Sequence, residues 1–288
     1  MPNPLIVVTG ATGAVGSQVV KHLTEAGPRV RALVRDPAKA ASLNRSAEFV
    51  VADLLRPETL EAAFKGADKA FVVAPPAADM ELMAANALEA ARQAGVKHIV
   101  YLSNFGAGKF GPSPVWNWHA AGESRLQALK VAWTILKPAR FMTNTPFPFS
   151  WHGIKESGVL AEPTGTGRIA MIDPADVGAV AAKILTSGGH EGKAYQLTSS
   201  DFLTGEQIAA KIGAAIAKAV RFVDSPPDEL RAALLSKRAP DFVVDSVLRY
   251  FETVREGRWY TTGAVSEILG RPPRSYDAWL RNNAAAFQ

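Results

Sequence analysis

Leu5-Ile-Val-Val-Thr-Gly-Ala-Thr-Gly-Ala-Val-Gly16 is the stretch that decides the fold. Four apolar residues in a row, Leu5 to Val8, read as a strand buried on both faces. After the glycines, Val15, Val19, Val20 and Leu23 recur at helical spacing. A strand that turns through glycines into a helix leaves backbone N–H groups unpaired at the helix start. The helix dipole adds partial positive charge there, so the loop suits a pyrophosphate. Gly10 permits the tight turn, Gly13 lets phosphates approach the main chain, and Gly16 lets helix and strand pack closely. The run from Gly10 through Ala11, Thr12, Gly13, Ala14 and Val15 to Gly16 is therefore the expected dinucleotide cradle.

Strands and helices alternate beyond it. Val30–Val34, Phe49–Ala52, Lys69–Ala74, His98–Ser103 and Trp133–Lys137 read as strands, with helices between them. Asn104–Trp118 has no clear pattern. The alternation predicts an α/β protein with a doubly wound, parallel Rossmann sheet. Past Pro138 the rhythm breaks into short elements punctuated by proline and glycine. Residues 1–145 are expected to form the dinucleotide-binding core. Residues 146–288 are expected to form a smaller, mainly helical lobe, with elements from about 169–200 returning to the core. In such sheets ligands lie beyond the carboxyl ends of the strands, so the cleft is expected between sheet and lobe.

The 288 residues, 48% hydrophobic and 20% charged, can bury a full core. The absence of cysteine excludes disulfides, thiolate metal sites and cysteine nucleophiles. The first strand begins at Leu5, leaving no room for a signal peptide, and no apolar run reaches membrane-spanning length. A soluble, cytoplasmic monomer or homodimer is expected. The net charge is +5, but the 32 lysines and arginines are scattered, which argues against nucleic acid and fits a field that draws in an anionic cofactor.

The end of the second strand separates the two nicotinamide cofactors. A carboxylate there binds the ribose hydroxyls, whereas an arginine pairs with a 2′-phosphate. Arg35 abuts Val34 and Lys39 lies one helical turn on, while Asp36 precedes Pro37 and suits a helix cap. NADP(H) is preferred over NAD(H). Asp53, with Leu54 beside it, either meets the adenine amino group or shapes the turn. Ala74, Pro75 and Pro76 are expected to wall the adenosine side, and Ser103 ends the fifth strand.

None of the five tyrosines is followed by lysine four residues on, so the tyrosine–lysine route to alcohol oxidation is not expected. His119 and Glu123 stand four apart on one helix face instead. Either Glu123 orients His119 as a proton donor, or the two form a plain helix pair. Phe105, Trp116, Asn144 and Phe147 are expected to contact an apolar acceptor. No cluster of His, Asp and Glu has metal-ligand spacing.

The chain resembles the NmrA-like group of atypical short-chain dehydrogenases/reductases in Thr9–Gly16, Val34-Arg-Asp-Pro-Ala-Lys39, Ala52-Asp53 and His119-Ala-Ala-Gly-Glu123. It resembles them further in Trp133–Pro138, Phe141-Met-Thr-Asn144, Ile172-Asp-Pro-Ala-Asp-Val177 and Leu269-Gly-Arg-Pro-Pro-Arg274. The resemblance implies an NADP(H)-binding fold whose members include reductases of quinones, azo dyes and triphenylmethane dyes. Other members sense the cofactor's redox state and regulate protein partners without turnover. It places Pro138, Phe141 and Asn144 beside the nicotinamide. An NADPH-dependent reductase of an apolar, conjugated, small-molecule acceptor is the first reading, a nucleotide sensor the second, and sugar-nucleotide epimerisation a weaker third.

Overall fold

The computed structural model describes residues 3–38, 46–145 and 148–288. Its centre is a parallel sheet of β1 (Leu5–Val8), β2 (Arg29–Val34), β3 (Glu48–Val51), β4 (Lys69–Val72), β5 (His98–Leu102), β6 (Ala132–Pro138) and β10 (Lys193–Leu197). The spatial order is β10-β6-β5-β4-β1-β2-β3. β1 lies between β2 and β4, with Ile6 in register with both Val30 and Lys69. The strand order reverses there, which opens a crevice at the carboxyl end of β1, where Gly10 turns.

The pleat explains why β1 is apolar throughout. Ile6 and Val8 join the core beneath α1 (Gly16–Ala26) and α6 (Pro174–Thr186), while Val7 joins the opposite core. That second core holds α2 (Pro57–Phe64), α3 (Met80–Gln93) and α4 (Pro114–Ala128). The stripe Val15, Val19, Val20 and Leu23 is at most 4% exposed, as its spacing predicts.

α4 begins earlier than its apolar pattern suggests. Pro114 occupies its first turn, where proline's missing N–H costs nothing. The short helix expected through Lys39 and Leu43 lies outside the described residues.

The rest of the chain covers one end of the sheet. β7 (Arg140–Phe141), β9 (Arg168–Ile172) and β11 (Phe202–Thr204) make a three-stranded sheet, and β8 (Val159–Ala161) pairs with β12 (Arg221–Val223). Around them stand α5 (Pro148–Ser157), α7 (Gly205–Ile216), α8 (Pro227–Ser236), α9 (Asp241–Arg255), α10 (Ala264–Leu269) and α11 (Tyr276–Asn283). A third core joins Phe105, Phe110 and Trp116 to Val254, Trp259 and Trp279. α9 rests on α4, where the rings of Trp118 and Phe242 lie 5.2 Å apart. Among the described residues no helix is long and apolar enough to cross a membrane.

Candidate active site

The glycine loop is held from beneath by Thr9. Its amide donates to the Phe71 carbonyl, and its hydroxyl donates to the Val73 carbonyl and accepts from the Val73 amide, all at 2.8–3.0 Å. Gly10 has φ +59°, and a Cβ there would stand 2.6 Å from Val73 Cγ1. A Cβ on Gly16 would stand 2.1 Å from the Gly10 carbonyl oxygen, so α1 meets the loop at a distance only glycine permits. Thr12, Gly13 and Ala14 are exposed, and Ala11 and Val15 are buried anchors. α1 has neither a side-chain cap nor an acidic residue in its first turn. Among the described residues the amides of Thr12, Ala14 and Val15 have no acceptor. A helix start with open donors and positive dipole charge fits a pyrophosphate.

Arg35, at the end of β2, is exposed and has no ion pair among the described residues. Asp36, read from the sequence as a helix cap, accepts a hydrogen bond from the Ala38 amide at 3.0 Å. Lys39 lies outside the described residues. Asp53 Oδ1 accepts from the Leu55 amide at 3.0 Å, so one of its oxygens shapes the turn. Leu54 is half-buried, and its carbonyl accepts from Asn86 Nδ2. Ala74 is buried and Pro75 and Pro76 are exposed just beyond β4.

The pairing imagined between Glu123 and His119 is not what the structure shows. Glu123 accepts a short hydrogen bond from the Ser103 hydroxyl and makes a 2.9 Å ion pair with Lys137. A cation on the adjacent strand outcompetes a buried neutral imidazole for a carboxylate. His119 is 8% exposed, and its Nδ1 has no partner. Burial, then the Lys137 charge, pushes its pKa down to about 3, so it is no imidazolium acid near neutral pH. Sequence reasoning missed Lys137. The signal was a lysine inside a buried strand, a position that demands a carboxylate partner.

Beyond β5 and β6 lies a cavity of about 300 Å³. Trp116 and Asn144 line it, as expected, and Pro76 forms part of its rim. Phe105 does not: it is fully buried behind the wall, stacked 4.9 Å from Trp259 and 5.9 Å from Phe110. Phe147 lies outside the described residues. Pro138 is buried at the end of β6, its carbonyl accepting from the Phe105 amide, and Phe141 packs half-buried toward α1 and α6. The largest wall, Phe242, Tyr250 and Phe251 of α9 with Trp259 after it, comes from more than a hundred residues downstream and was missed. Arg140 forms the polar side, its guanidinium 5.8 Å from the Tyr250 ring and bonded to Glu162.

A glycine turn at the strand-order reversal and an aromatic cavity at the same end of the sheet define the class: a dinucleotide-binding α/β protein with an aromatic cavity beside its cradle. The NAD(P)H-binding family model matches residues 10–188. The chain is 36% identical to the NAD(P)H azoreductase of Xenophilus azovorans, over 98% of this chain and 99% of that protein. It is 34% identical to the (4-alkanoyl-5-oxo-2,5-dihydrofuran-3-yl)methyl phosphate reductase of Streptomyces griseus, over 98% and 99%. The structure of Citrobacter sp. triphenylmethane reductase complexed with NADP(H) superposes with a TM-score of 0.86 at 27% identity, over 97% and 99%. The chain belongs to the NAD(P)H-binding family, in its NmrA-like atypical short-chain dehydrogenase/reductase group. It is an NAD(P)H-dependent oxidoreductase.

Proposed function

We propose that the chain uses NADPH to reduce an apolar, conjugated small molecule of the quinone, enone, azo or dye type. The observation that carries this reading is the cavity walled by Trp116, Phe242, Tyr250, Phe251 and Trp259, with no carboxylate, histidine or lysine among the described residues that line it. Such walls bind flat, conjugated rings by burial and stacking. Reduced nicotinamide supplies a hydride, and an electron-poor acceptor that takes it needs only one further proton, available from water.

The chain's own residues then act mainly by positioning. The open amides of Thr12, Ala14 and Val15, freed by Gly10, Gly13 and Gly16, hold the pyrophosphate. Arg35 stands without an ion pair among the described residues where a 2′-phosphate is read, which favours NADPH over NADH, and Lys39 follows it in sequence. Asp53 and Leu54 bound the adenine, and Ala74, Pro75 and Pro76 the adenosine ribose. Ser103, Pro138 and Phe141 back the nicotinamide, with Ser103 fixed by Glu123 and Lys137. Residues 1–145 supply the cofactor cradle, and residues 146–288 supply most of the acceptor wall while returning β9, α6 and β10 to the core.

The test is NADPH consumption by the purified protein against a panel of quinones, enones, azo dyes and triphenylmethane dyes. Turnover of at least one class is the expected result. NADPH binding without turnover of any would replace this reading with that of a nucleotide sensor.

A further inference from the structure

Resting on the reading of the cavity as the acceptor site, the inference concerns which acceptors it takes. Among the described residues that line the cavity, Arg140 is the one that is charged. Its Nη1 donates to Glu162 Oε2 at 3.1 Å and its Nη2 to Glu162 Oε1 at 2.6 Å. The Arg140 and Glu162 side chains are 8% and 2% exposed, so the two charges cancel inside the wall. Arg140 Nη2 also reaches the Asn144 carbonyl at 3.4 Å.

Among the described residues the cavity thus offers an entering anion no free counter-charge, and burying an unpaired anion costs several kcal/mol. It does offer neutral donors. Asn104 Oδ1 accepts from the Gly106 amide at 3.0 Å, and the Asn104 amide group has no acceptor among the described residues. The Asn144 side chain makes no hydrogen bond among the described residues. The Tyr250 hydroxyl is buried beside the Arg140 guanidinium without a well-formed hydrogen bond. Unmet donors in the cavity lining mark where a ligand oxygen would sit.

We propose that this site selects neutral, carbonyl-bearing conjugated acceptors over anionic ones, and that Glu162 sets the selection by occupying the Arg140 guanidinium. Glu162 acts through Arg140 and is a positioning residue.

The experiment compares a naphthoquinone with its ring-sulfonated analogue, measuring kcat/KM with NADPH and binding by quenching of tryptophan fluorescence. The wild type is expected to favour the neutral quinone by about 100-fold or more. Glu162→Gln frees the guanidinium and should shrink that ratio at least tenfold, chiefly by improving KM for the sulfonate. Because Glu162→Gln leaves a buried cation that could unfold the chain, the double variant Arg140→Met/Glu162→Leu gives a second reading. It removes both charges and should keep the wild-type preference. Equal efficiency with both quinones in the wild type, or an unchanged ratio in folded Glu162→Gln, would overturn the proposal. So would a double variant that takes the sulfonate as readily as the neutral quinone. NADPH consumption with neither quinone, and no quenching, would instead sink the reading of the cavity on which the proposal rests.

Discussion

His119 shows how burial and a neighbouring charge decide what a histidine can do. Held neutral with its pKa near 3, it binds a proton far less readily in the folded chain than in the unfolded one, where the value is about 6.5. The stability linked to that neutrality is complete above about pH 6.5 and is lost as pH falls toward 3, by up to about 1.4 kcal/mol per unit. His98, lowered chiefly by its burial and next by Lys69, adds in the same direction. Urea unfolding at pH 7 and pH 5 should show this loss, and His119→Leu should shrink it; an unchanged difference would mean that His119 titrates normally. Arg35 gives a prediction of another kind. Arg35→Ala should raise KM for NADPH by about 10- to 100-fold, the worth of a charge-assisted phosphate contact, and leave NADH within a few-fold. Equal loss for both cofactors would refute the assignment. The glycine turn was legible because its geometry depends on adjacent residues. The partner of Glu123 was not, since Lys137 reaches it only after β5 and β6 pair.

α4 carries a glycine in its interior for a reason found on the next strand. A Cβ on Gly122 would lie 2.2 Å from the Tyr101 hydroxyl, which is buried without a partner. Alanine is the better helix former by about 1 kcal/mol, but overpacking typically costs 1–3 kcal/mol, so the clash wins. Gly122→Ala should therefore lower stability by up to about 2 kcal/mol in thermal or urea unfolding, and Tyr101→Leu should restore part of it in a double-mutant cycle. A stabilised Gly122→Ala would show that the strand yields easily. The main strands were legible because a buried parallel strand is a continuous apolar run. β7, β8, β11 and β12 have two or three residues each, too few for any period, and exist through long-range pairing. The start of α4 was written in Ser113-Pro114 but hidden by the aromatic residues that follow.

At the scale of the molecule, two segments nearly a hundred residues apart are tied together. Arg274 Nη1 meets Asp173 Oδ2 at 2.7 Å, Arg271 Nη2 meets Asp176 Oδ1 at 2.8 Å, and the Arg274 amide donates to Asp176 Oδ2 at 2.6 Å. Asp176 is 1% exposed while the arginines are about half exposed, so solvent discounts the pairs more than the buried amide bond. Asp176→Ala should cost about 1–3 kcal/mol and expose the C-terminal segment to protease before the sheet unfolds. Simultaneous cleavage throughout the chain would contradict this. Spacing revealed both segments but not their meeting, and the α9 wall of the cavity was hidden in the same way. The central claim remains the nucleotide cradle, and calorimetric titration of NADPH into wild type and Gly13→Asp tests it most directly. A carboxylate at residue 13 suits the start of α1, so the fold should persist while the pyrophosphate is repelled. The account predicts saturable binding to the wild type and at least 100-fold weaker binding to the folded variant, the scale of a buried like-charge contact. No binding to the wild type, or equal binding to both, would contradict it.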